Sequence, residues 1–87
     1  MKYLQFKYTP NKELYKIFHK LLELQDCKIY ISKTLFSEFF EYILALPMKH
    51  YLNINFISTG ILMFSKTNKI IIQSDRVRDG IFYVGRN

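Results

Sequence analysis

The chain of 87 residues is predicted to be α+β, a single mixed sheet with two helices packed on one face. Three observations predict this. Residues 2–8 alternate with the period of a strand. Residues 14–22 carry apolar side chains at the period of a helix. The second half holds short β-rich runs separated by turn residues.

The elements follow in chain order. In the first strand Leu4, Phe6 and Tyr8 share one face, and Tyr3, Gln5 and Lys7 the other. Thr9-Pro10 is a helix start, with Thr9 as cap, Pro10 at the first helical position and Glu13 in the first turn. The helix is expected to reach Gln25, with Leu14, Ile17, Phe18, Leu21 and Leu22 as its apolar stripe. Cys27 to Ile31 is short, apolar and β-branched, a second strand. Ser32 can cap a second helix, which must stop before Pro47. Its polar strip is only Ser37, Glu38 and Glu41, so more than half of its circumference needs cover.

Tyr51 to Ser58 alternates again, with Leu52, Ile54 and Phe56 opposite Asn53 and Asn55. Gly60 marks a turn, and Lys66-Thr67-Asn68 a hairpin loop between runs 61–65 and 69–73. Asp75 to Gly80 is a charged connection to a last strand at Ile81 to Val84. The order β-α-β-α-β-β-β-β predicts a right-handed parallel crossover first and an antiparallel meander afterwards, in one domain spanning residues 1–87.

Composition narrows the function. Hydrophobic residues make up 49% and aromatics 17%, enough for a packed core and for apolar surface left to a partner or a second copy. The single Cys27 excludes an internal disulfide and a cysteine zinc site. MKYLQFKY lacks the apolar run of a signal peptide, and no stretch has the length of a membrane span, so a cytoplasmic protein without membrane contact is expected. The net charge of +6 favours an acidic partner, either nucleic acid or an acidic or nucleoprotein surface. Ten of the 13 basic residues are lysine, which follows phosphates as a point charge and reads bases poorly, so sequence-tolerant binding is expected.

No cofactor, metal or catalytic constellation is expected. Three glycines cannot build a phosphate loop, and His19 and His50 lack ligands at metal spacing. Glu38 and Glu41 fall on the exposed strip of the second helix. Asp75 and Asp79 flank Arg76 and Arg78, where local ion pairing or turn formation accounts for them.

Two charge patterns remain. Lys12, Lys16 and Lys20 recur every four residues opposite the apolar stripe, an arrangement that costs a helix roughly 0.2–0.5 kcal/mol per like-charged pair. Arg76 and Arg78 concentrate two of the three arginines in one loop, where guanidinium forks suit phosphate or carboxylate. These five residues are the expected binding site of a non-enzymatic basic module that engages nucleic acid or a nucleic-acid-handling complex. A phage or mobile-element regulator, or an inhibitor of host machinery such as a defence nuclease, fits this size and charge.

The run Arg76 to Val84 is similar to the basic late strands of RelE/ParE-type toxins, which place two helices consecutively before the sheet, whereas a strand intervenes here. That resemblance implies the alternative of a ribonuclease toxin using Arg76, Arg78, His50 and Tyr83. The tail from Ile70 also resembles a segment of the exopolyphosphatase/guanosine-pentaphosphate phosphatase family, over less than a fifth of the chain and without that family's glycine-rich loops. A further alternative is a structural protein that dimerises through Phe36, Phe40 and Leu44 of the second helix.

Overall fold

The computed structural model describes residues 2–47 and 53–86. Its elements are β1 (Tyr3–Lys7), α1 (Leu14–Glu23), β2 (Cys27–Ile31), α2 (Lys33–Ala45), β3 (Ile54–Ser58), β4 (Ile61–Phe64), β5 (Lys69–Gln73) and β6 (Ile81–Arg86). The expected class and element order are both observed. Tyr51 and Leu52, read as the start of the third strand, lie outside the described residues.

The strands form one sheet in the order β1-β6-β2-β5-β4-β3. Only β2 and β5 pair in parallel. The meander holds for β3, β4 and β5, but β6 leaves it and inserts between β1 and β2. The run Ile81-Phe82-Tyr83-Val84 is apolar on both sides, and a strand of that kind belongs in the interior of a sheet. The chain crosses the end of β2 to reach that slot, and the Ser74 N–H donates to Ile31 O at 2.9 Å on the way.

Both helices lie on one face. Ile17, Phe18 and Leu21 of α1 and Leu35, Phe36, Phe39 and Ile43 of α2 close over Ile29, Ile31, Leu62, Phe64, Ile71 and Phe82. The second apolar flank of α2 is covered by α1: the Tyr42 ring stacks on Phe18 at 4.6 Å between centroids.

The caps explain the helix limits. Ser32 Oγ accepts from the Leu35 N–H at 3.1 Å, as expected for the start of α2. Helix α1 begins four residues later than Pro10 allows, because Asn11 takes a left-handed φ of 70° and breaks the first turn. Thr9 O still accepts from Lys12 and Glu13, and Glu13 Oε1 accepts from the Thr9 N–H at 2.7 Å, which holds the Glu13 carboxyl below its usual range.

Lys69 closes the other end of α1 from inside the core. It is 1% exposed, and its Nζ donates to Leu21 O, Leu22 O and Leu24 O at 2.5, 2.7 and 2.8 Å, satisfying carbonyls that the helix end leaves without partners. Nζ also stands 4.8 Å from the centre of the Phe64 ring. Burial pushes this ammonium down to about 8.

Candidate functional site

With both helices on one side, the register of the strands determines what the other side of the sheet presents. One row across it reads Tyr3, Gly85, Lys28, Ile70, Met63, Asn55. The next reads Gln5, Tyr83, Tyr30, Ile72, Ile61. Lys7 and Ile81 follow at the β1–β6 end. A solvated sheet face normally alternates into polar side chains. This one is largely apolar and aromatic, and its isoleucines, Met63, Tyr30 and Tyr83 are only half-buried.

The face has two halves. Strands β5 and β4 supply the aliphatic half: Ile70, Ile72, Ile61 and Met63. Strands β1, β6 and β2 supply the aromatic and basic half. There Tyr3 meets Tyr30 edge-on, with centroids 5.5 Å apart and planes at 74°. Gly85, paired with Tyr3, leaves no side chain between them. The neighbouring Tyr30 side chain pushes the Tyr3 phenol up. Tyr83 Oη accepts from Gln5 Nε2 at 3.4 Å. Lys28 and Lys7 are the cations on this half.

The five residues expected to bind from their charge pattern are all exposed. Lys16 and Lys20 lie on α1 and Lys12 in the turn before it. Lys20 Nζ stands 5.5 Å from the centre of the Phe6 ring, which brings the α1 stripe beside strand β1. Arg76 and Arg78 lie in the loop between β5 and β6, which Val77 pins by burying its side chain. The Tyr8 N–H donates to Gly80 O at 2.9 Å, tying this loop to the turn that carries Lys12. Gly80 has φ +92°, and an added Cβ would lie 3.4 Å from Tyr8 O. Arg76, Arg78 and Lys12 therefore share one end of the molecule, and Lys2 and Arg86 mark the opposite end of β1 and β6.

No ion pair forms among the described residues, so neither Asp75 nor Asp79 pairs with the arginines beside it. In the lysine stripe, Lys16 lies near enough to Glu13 to help hold that carboxyl down.

The residues of the ribonuclease alternative are placed as follows. His50 lies outside the described residues, Tyr83 stands on the open sheet face, and Arg78 belongs to the loop. The dimer surface expected on α2 is also divided. Phe36 is 5% exposed and stacks on half-buried Phe40, and only Leu44 is open, at 53%. Cys27 is buried, which pushes its thiol up. No cluster of three or more potential metal ligands occurs among the described residues. No helix among them is long and apolar enough to cross a membrane.

Tyr3, Lys28 and Tyr30 are not singled out by charge or motif, and Tyr83 enters only with the toxin alternative. Their signal was the alternation itself: once Leu4 and Phe6 face the helices, Tyr3, Gln5 and Lys7 must face away from them. No known family matches the chain, and no curated protein or solved structure is significantly similar to it.

Proposed function

We propose that this protein is a non-enzymatic binding module that takes single-stranded nucleic acid on the open face of its sheet. The observation that carries this is a helix-free face bearing Tyr3, Tyr30 and Tyr83 beside Lys7 and Lys28, in a chain of net charge +6. Tyrosine rings on a sheet are stacking surfaces for unpaired bases, each worth about 1–3 kcal/mol. Lysines at the edges of such a surface meet phosphates without reading sequence. Arg76 and Arg78 at one end extend the basic track beyond the tyrosines. Lys12, Lys16 and Lys20 add long-range attraction that steers the polyanion.

A labelled single-stranded oligonucleotide should bind with little sequence preference, more tightly than the duplex of the same length. Affinity should fall with salt at a logarithmic slope of about −0.7 per phosphate contacted. Absence of binding at 50 mM salt, or preference for duplex, overturns the proposal.

A second reading has its own support in the aliphatic half. Ile61, Met63, Ile70 and Ile72 offer nothing to a phosphate backbone, and they suit the apolar face of a protein, of which a second copy of this chain is the simplest. Light scattering across a range of concentrations tests it. A dimer that loses oligonucleotide binding as it forms favours this reading over the first.

A further inference from the structure

On the helix side of the sheet, α1 stops short of the start of β1 and leaves a groove of about 530 Å³. Its walls are Leu4, Phe6, Leu24 and Val84, with Cys27 among them. Leu4 is 66% exposed although its neighbours in register, Val84 and then Ile29, are buried. The alternation of β1 directs Leu4 to the core side, yet nothing among the described residues covers it there.

The groove is apolar along its length and cationic at its rim. Lys2 and Arg86 both line it, and they oppose one another one position beyond the Tyr3–Gly85 pair. No carboxylate is among the described residues that line it. At the Phe6 end, Lys20 Nζ stands against the Phe6 ring.

We infer that this groove binds a single-tailed amphipathic anion, of which a medium-chain fatty carboxylate is the simplest form. The tail would run from Leu4 toward Phe6 and Leu24, removing that apolar surface from water. The headgroup would sit between Arg86 and Lys2, where a guanidinium can donate to both carboxylate oxygens in a fork. The volume lies within the ~300–1,000 Å³ range of small-ligand sites. This site is separate from the open face and does not depend on the nucleic-acid reading.

The test is an NMR titration of the full chain with decanoate below its micellar concentration, with decanol as the uncharged control. Saturable shifts at Leu4, Phe6, Leu24 and Val84 are expected, with at least tenfold weaker binding for Arg86→Glu and for Leu4→Asp. Leu4 and Arg86 are both exposed, so neither variant should unfold the protein, and unchanged spectra away from the groove check this. Decanol should bind at least tenfold more weakly than decanoate. Shifts that do not saturate, decanol binding as tightly as decanoate, or Arg86→Glu retaining full affinity would each overturn the inference.

Discussion

Replacing Lys69 with methionine keeps the apolar stem and removes the ammonium that ends α1. Three charge-assisted hydrogen bonds are lost, to Leu21 O, Leu22 O and Leu24 O. Taken singly such bonds contribute about 1.5–3 kcal/mol, and three sharing one ammonium amount to roughly 5 kcal/mol. Burial, which depresses Lys69 from 10.5 to about 8, opposes these bonds. The net loss is therefore smaller than their sum, about 2 kcal/mol, or roughly 8–16 °C in Tm for a domain of this size.

The same group makes a signed prediction with pH. Below about 8 the amine is protonated both folded and unfolded. Between about 8 and 10.5 the unfolded chain holds a proton that the folded one has released, so wild-type stability rises relative to Lys69→Met across that window. Chemical denaturation of both proteins at pH 7, 9 and 10 measures this. A variant as stable as wild type at pH 7, or a difference that stays flat from 7 to 10, refutes the account of this lysine.

Three other outcomes are expected. Ser32→Ala removes the oxygen that caps α2 and should cost about 1–2 kcal/mol in urea denaturation, whereas Ser32→Asp, which restores an acceptor, should recover part of it. Gly60→Ala should cost about 1–2 kcal/mol, since Gly60 has φ +83° and the new Cβ would lie 3.2 Å from Gln73 Cβ. Arg76→Ala and Arg78→Ala should weaken oligonucleotide binding uniformly across sequences and flatten the salt slope by up to about 0.7 each, with thermal stability unchanged because both side chains are exposed.

The fold was legible where periodicity was unambiguous. The cap at Ser32, the strand Lys69–Gln73 and the two-sided apolar character of α2 all follow from spacing and turn chemistry. The place of β6 was not legible, because proximity in sequence favours a meander, whereas β6 pairs its backbone with both β1 and β2. Asn11 was read as ordinary helix, although asparagine tolerates the left-handed conformation that delays α1.

Charge reading had a similar blind spot. Lys69 counts toward the net charge like any other lysine, yet it shares a strand face with Ile71, and that phase places it in the core. The basic stripe of α1 was visible from its four-residue spacing. The tyrosine face was not, since it is assembled from three strands distant in sequence and depends on β6 entering between β1 and β2.

The most direct test is a map of backbone amide shifts as a short single-stranded oligonucleotide is added at low salt. The account predicts that the largest changes fall on Tyr3, Lys28, Tyr30 and Tyr83 and on the loop bearing Arg76 and Arg78. It also predicts that replacing Tyr30 and Tyr83 together by alanine weakens binding at least tenfold without unfolding the protein. Changes confined to α1 and α2, or undiminished affinity in the double variant, would contradict it.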